Sequence, residues 1–313
     1  MPKPHLYLFA ALLAALGISH FSDRIDPYHL DVLTGIGINI ILAVSLNLVN
    51  GYTGQFSLGH AGFMSVGAYL AAAVSLFLGP KLLGAEGGTA LEQGGLFLAA
   101  LVAGGLGAAF AGLVVGVPSL RLKGDYLALV TLGFGEIIRV IFQNVEFLGG
   151  ALGLNGIPAY TTIFWVLAFV AISVFVVSCL VNSTYGRGFL ATHDDEIASE
   201  AVGLNTTHYK IVAFVIGAFF AGTAGGLYGH FKMTITPTGF DFTKSVEIVV
   251  MVIMGGMGNT LGVVLAAVLL TLLPELLRPI AEYRMIIYSL LLIILMLVRP
   301  QGLFNFKLGK VKS

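Results

Sequence analysis

Long apolar runs separated by short polar or glycine-rich breaks dominate this chain, and the runs are apolar on every helical face. Val263–Leu273 and Met285–Val298 contain no charged residue at all. Barrel strands would show segments of roughly ten residues alternating apolar and polar, and that alternation is missing here. A membrane-crossing helix needs about 20 apolar residues, fewer where the bilayer thins or the helix is interrupted. On that measure the pattern predicts helices near 5–21, 30–49, 57–78, 95–117, 125–143, 162–181, 207–229, 243–257, 260–274 and 284–298. The expected fold is an all-α, polytopic transmembrane bundle of about ten spans, with Gly-interrupted helices in both halves.

Composition strengthens this picture. The 313 residues are 57% hydrophobic and 10% charged, with a mean hydropathy of +0.95. A soluble domain carries about 25% charged residues. In lipid every backbone N–H and C=O needs an internal partner, which helices provide. A formal net charge of zero gives no support to nucleic-acid binding. Cys179 is the single cysteine, and seven histidines lie scattered without ligand spacing, so no metal site is expected. The run Leu6–Ile18 is expected to be a retained first span, because no A-x-A-like site follows it. No composition shift divides residues 1–313, which read as a single transmembrane domain.

Basic residues set the expected orientation. With both ends cytoplasmic, eight Lys and Arg fall inside, including Lys3, Arg121, Lys123 and Arg187, and five fall outside. The tail Arg299–Ser313 is basic and contains no acid. Both observations follow the positive-inside rule.

One loop differs from the rest. Thr192–Leu204 reads as a short helix: Thr192 is a candidate N-cap, and Asp194, Asp195 and Glu196 place negative charge in its first turn. Ile197 and Ala201 fall at i and i+4 on a small apolar face, and Gly203 stands where a helix end favours positive φ. Such a helix suits docking into a groove on a soluble partner. On local features alone it suits a well-capped, solvated connector equally well. Asp194 and Asp195 do not form a catalytic pair, because adjacent helical residues point apart.

Polar residues inside apolar segments are the second unusual feature. Asn47, Asn50, Gln55, Ser57 and His60 sit among Gly51, Gly54, Gly59 and Gly62, and a second glycine-rich break runs from Gly255 to Asn259. These polar groups are too costly to face lipid. Paired breaks in two halves point to a pathway built from discontinuous helices, which makes Asn47, Asn50, Gln55, Ser57, His60 and Asn259 candidate lining residues. Close helix packing with internally satisfied amides is the other reading. Glu136 and Arg139 stand at i and i+3, and Glu247 follows Lys244 by one turn. As intramembrane charges they are functional candidates, or ion pairs that fix helix register or a subunit contact.

Four segments carry a family resemblance. Leu46–Phe63, Gly124–Arg139, Met254–Gly262 and Arg299–Gly302 resemble, in order, segments of the LivM-type permease of high-affinity branched-chain amino-acid importers. Glu200-Ala201-Val202-Gly203 resembles the EAA…G loop that docks permeases of ABC importers onto their ATPases, with Val202 in place of the second alanine. The resemblance implies that Arg187, Asp195, Glu196, Glu200, Ala201 and Gly203 belong to an ATPase-coupling loop. It also implies a homologous second permease, two cytoplasmic ATPases that hold the ATP and Mg, an external substrate-binding protein, and a place in the bacterial inner membrane. No cofactor and no catalytic residue is expected on this chain, which contains no G-x-x-x-x-G-K-[ST] string. Related importers carry urea, short amides or other amino acids. An ion-coupled secondary transporter and an intramembrane enzyme are the alternatives from other classes.

Overall fold

Helix ends follow local chemistry. In a computed structural model of the protein, the described residues are 4–21, 24–84, 88–119, 122, 124–278, 283, 286, 287, 289, 290, 293, 294, 297, 302 and 303. The expected span at 284–298 and the basic tail from Arg299 fall largely outside them, as do Lys3, Arg121 and Lys123. Helix α1 covers Pro4–His20. Helix α2 (Pro27–Asn47) starts with Pro27 in its first turn, and the Asp26 carboxylate accepts from the Tyr28 N–H at 2.8 Å. After a π-turn over Leu48–Tyr52 the chain runs extended to α3 (His60–Ala73), which continues through a second π-turn into α4 (Gly79–Leu83).

The remaining helices are α5 (Ala90–Ser119), α6 (Asp125–Asn144), α7 (Ile163–Val181), α8 (Thr184–Asp194), α9 (Glu196–Ala201), α10 (Thr206–Lys232), α11 (Phe242–Gly255) and α12 (Thr260–Leu276). Helices therefore stand at nine of the predicted positions. Among the described residues, five segments are long and apolar enough to cross a membrane: Pro27–Tyr52, His60–Leu82, Ala90–Ser119, Ile163–Val181 and Thr206–Lys232. The other four are shorter or carry charge. Helix α6 carries Asp125, Glu136 and Arg139, α1 and α12 have 17 residues each and α11 has 14. One departure from an all-α chain is a two-residue antiparallel ladder, β1 (Leu154–Asn155) with β2 (Thr234–Ile235), too short to show as a sequence pattern.

Helix α10 is the central element. It packs against α5, α3 and α2, while α12 packs on α2, α11 on α12, α7 on α2 and α1 on α7. Glycines permit the central crossing. A Cβ on Gly67 would lie 2.2 Å from Gly222 Cα, and one on Gly104 would lie 2.6 Å from the Gly67 carbonyl. Where lipid removes the hydrophobic drive between helices, close backbone approach supplies the packing. Helices α8 and α9 mark one end of the bundle, and the β1–β2 ladder marks the other.

Candidate functional site

The break between α2 and α3 is closed on itself by side chains. The Asn50 carboxamide accepts from the Ser57 N–H at 3.2 Å and donates to the Ser57 carbonyl at 3.4 Å. Thr53 Oγ1 donates back to Val49 O at 2.8 Å and accepts from Gln55 Nε2 at 2.9 Å. The Ser45 hydroxyl donates to Leu42 O at 2.9 Å, so at its 2.8 Å contact with His60 the Nε2–H is the donor. Asn47, Asn50, Gln55, Ser57 and His60 are all buried. Among the described residues, the buried polar side-chain atoms with no hydrogen bond are Asn47 Nδ2, Gln55 Oε1, Ser57 Oγ and Tyr69 OH. Three of these four belong to the break, which concentrates unmet polarity there.

The two glycine-rich breaks meet. Asn47 Oδ1 accepts from the Gly258 N–H at 2.9 Å, and Tyr52 OH lies 2.8 Å from Thr260 Oγ1. A Cβ on Gly51 would sit 2.3 Å from the Gly258 nitrogen. Gly256 and Gly258 have φ of +89° and +80°, a backbone region that glycine enters without strain. Asn259 caps α12, with its side chain accepting from the Gly262 N–H at 3.2 Å. The Leu303 N–H donates to Met254 O at 2.7 Å, which brings the end of the Arg299–Gly302 segment to the same place. Helix α6 joins from the other side: Thr131 Oγ1 accepts from the Leu58 N–H at 3.1 Å, and a Cβ on Gly62 would lie 2.9 Å from Gly135 Cα. Three of the segments that carry the resemblance, with Gly302 at the end of the fourth, therefore converge on one junction.

That junction abuts the α8–α9 end. Gly54 has φ +68°, and a Cβ there would lie 2.8 Å from the His193 ring. A cavity between them is lined by Thr53, Gln55, Gly124, Asp195, Glu196 and Lys210. The helix expected to begin at Thr192 begins at Glu196 instead. Thr192 lies within α8, its hydroxyl donating to Gly188 O at 2.8 Å. Asp195 is the actual cap, accepting from the N–H groups of Ile197 and Ala198 at 2.9 and 3.0 Å. Carboxylates of α9 turn inward: Glu196 pairs with the buried Lys210 at 2.7 Å, and Glu200 accepts from Thr206 Oγ1 at 2.7 Å. Arg187 donates to Thr184 Oγ1 at 3.4 Å. Gly203 closes α9 at φ +90°, its N–H donating to Glu200 O at 3.0 Å. Ala201 is exposed on the surface. What projects outward most strongly is apolar: Ile197 is 75% and Val202 78% exposed. Sequence reasoning noted Val202 only as a motif departure and did not single out Lys210 or His193; the signal for Lys210 was a lone cation near the start of an apolar helix.

Glu136, Arg139 and Glu247, the intramembrane charges expected from the sequence, are all in ion pairs. Arg139 Nη2 lies 2.6 Å from Glu136 Oε2, and Lys244 Nζ lies 2.9 Å from Glu247 Oε2. Lys244 also donates to Asn39 Oδ1 at 3.2 Å, and Asn39 Nδ2 donates to Thr271 Oγ1 at 3.0 Å. With Tyr28, Asp31, Lys232 and Glu275 these residues line a polar cleft at the ladder end. Asn39, Thr271 and Glu275 lie on α2 and α12, far from Lys244 in sequence, so no local pattern pointed to them. Among the described residues no group of three His, Cys, Asp or Glu is placed to hold a metal.

Helices of this length and apolarity, crossing through glycines, define an integral membrane protein. Residues 28–298 match the family described as "Branched-chain amino acid transport system / permease component". The chain is 36% identical over 345 residues to the high-affinity branched-chain amino acid transport system permease protein LivM of Salmonella typhimurium, covering 99% of this chain and 77% of the relative. It has the same identity and coverage with LivM of Escherichia coli K12. LivH of Escherichia coli K12 is 22% identical over 282 residues, covering 85% of this chain and 90% of LivH. The chain belongs to this permease family and is of the LivM type.

Proposed function

We propose that this chain is the translocation subunit of an ATP-driven importer of branched-chain amino acids in a bacterial inner membrane. The observation that carries the reading is the α9 surface: Ile197 and Val202 stand exposed on a helix anchored inward by Glu196–Lys210 and Glu200–Thr206. An apolar tip on a tethered cytoplasmic helix suits the groove of a soluble partner, and two ATPase subunits are that partner. The names of the relatives LivM and LivH support the substrate class and a homologous second permease. An external binding protein completes the assembly. The bundle has about ten spans with both termini cytoplasmic, so α8 and α9 face the cytoplasm and the Lys244 cleft faces outward.

Coupling follows from the contacts. Closure of the ATPase pair on ATP pulls on α9, and α8 passes the displacement through His193 to Gly54. From there Gly51 and Asn47 carry it to Gly258, so α2, α3, α11 and α12 shift together. Only differential binding of the ATPases to the two bundle states drives this exchange, which is why the energy source lies outside the chain. ATP and Mg stay on the partners, and this chain holds no cofactor. Gentle solubilisation followed by mass spectrometry of the co-purifying subunits tests the reading. A second permease, two ATPases and a soluble binding protein are expected; purification as a lone chain that still accumulates leucine would overturn it.

A further inference from the structure

Helix α6 has two outward faces of different chemistry. At about 100° per residue, its inward face is Leu127, Ala128, Thr131 and Ile138, three of them buried and the fourth against Gly62. One flank carries Val130, Ile137 and Ile141, of which Ile137 and Ile141 are 53% and 52% exposed. That flank suits acyl chains. The other flank carries Leu132, Glu136, Arg139 and Gln143, with Asp125 at its start.

Glu136 stands near the midpoint of α6 and Arg139 one turn beyond it, and their side chains remain 33% and 27% exposed although paired. Arg139 has five N–H donors, and among the described residues its hydrogen bonds go to Glu136 alone. The remaining donors and the free carboxylate oxygen need water or a polar partner. Hydrocarbon supplies neither, and ionised groups at this depth mark cavities and pathways. Leu132 lies between Glu136 and Arg139 around the helix, so one surface presents an anion, a cation and an apolar side chain together.

We infer that the Leu132–Glu136–Arg139 face of α6 is one wall of the water-filled passage that the amino acid crosses. The α-ammonium meets Glu136, the α-carboxylate meets Arg139 and the aliphatic side chain passes over Leu132. The opposite wall is the second permease subunit. This inference rests on the importer reading and adds to it the place of translocation, which sequence reasoning had assigned to the buried Asn47–His60 break.

The test uses the complete importer in membrane vesicles, with Cys179→Ser as background in this chain. Single cysteines are placed at Leu132→Cys and Glu136→Cys, and at nearly equal depth on the other flank at Val130→Cys and Ile137→Cys. The probe is a charged, membrane-impermeant methanethiosulfonate. The first two positions are expected to react at least tenfold faster than the second two, and leucine with its binding protein should slow them. Leu132→Cys keeps the ion pair, so a folding failure of Glu136→Cys does not remove the test. Equal, slow labelling on both flanks of an importer that still takes up leucine overturns the inference and leaves the importer reading intact. Cross-linking of Leu132→Cys to the second permease without labelling also overturns it, since the face is then a dry contact. An unsubstituted importer that takes up no leucine defeats the importer reading, and this inference with it.

Discussion

Asn47 and Gly258, 211 residues apart, are joined by a 2.9 Å hydrogen bond from the Gly258 N–H to Asn47 Oδ1. The contact closes the gap between two interruptions that sit in different halves of the chain. It exists because Gly51 has no side chain: a Cβ there would lie 2.3 Å from the Gly258 nitrogen. Asn47→Ala removes the acceptor of the half-buried Gly258 N–H, a loss of about 1 kcal/mol. A lower midpoint of thermal unfolding in detergent is expected. An unchanged midpoint would mean that the junction is not held by this bond.

The central crossing makes a sharper contrast between two glycines. At Gly222 an added Cβ would meet Ala108 Cβ at 2.4 Å and Gly104 O at 2.8 Å, whereas at Gly133 nothing lies within 4 Å. Gly222→Leu should destabilise the bundle by at least about 1–3 kcal/mol and reduce folded yield. Gly133→Ala should be neutral or stabilise by about 0.5–1 kcal/mol through reduced backbone entropy. Fluorescence-detected size exclusion after a temperature series separates the two. Equal behaviour of both variants contradicts the packing account.

Lys210 ties α9 to the bundle. Its side chain is 9% exposed and pairs with Glu196 at 2.7 Å. Lys210→Met removes this buried ion pair, a loss on the order of 1–3 kcal/mol, and the loss is local. Proteolysis within 195–205 should accelerate while global unfolding changes little. Resistance equal to the unsubstituted chain would show that α9 is held by other contacts.

Surface changes on α9 should separate folding from coupling. The double substitution Ile197→Glu with Val202→Glu alters the two most exposed apolar side chains of the loop and touches no buried group. The variant is expected to fold normally, fail to retain the ATPases and lose transport at least tenfold. Gly203→Asp acts differently, forcing a side chain onto a φ of +90° at about 1–2 kcal/mol. It is expected to distort the end of α9 and uncouple as well. Normal ATPase retention by the double variant would place the docking surface elsewhere.

Apolar periodicity made the helices legible, because runs such as Ile163–Val181 admit no other structure in lipid. It also located both glycine-rich breaks. Their meeting was not legible, since it depends on Asn47 reaching a backbone N–H that no local pattern reveals. The loop helix was legible in kind, but its cap falls three residues later than expected. Asp195 outcompeted Thr192 as cap because the Thr192 hydroxyl is bonded back to Gly188 O inside α8. Ile197 was read correctly as part of an apolar face. The inward turn of Glu196 and Glu200 was hidden, because their partners Lys210 and Thr206 lie on the next helix. For the same reason the Lys244–Asn39–Thr271 chain, which spans three helices, left no trace beyond Lys244 and Glu247.

Uptake of radiolabelled leucine into proteoliposomes holding the purified complex tests the central claim most directly. The account predicts accumulation that requires ATP on the α9 side and the binding protein on the other, and that persists when an uncoupler collapses the ion gradients. Accumulation by this chain alone, driven by a proton or sodium gradient and indifferent to ATP, would contradict it.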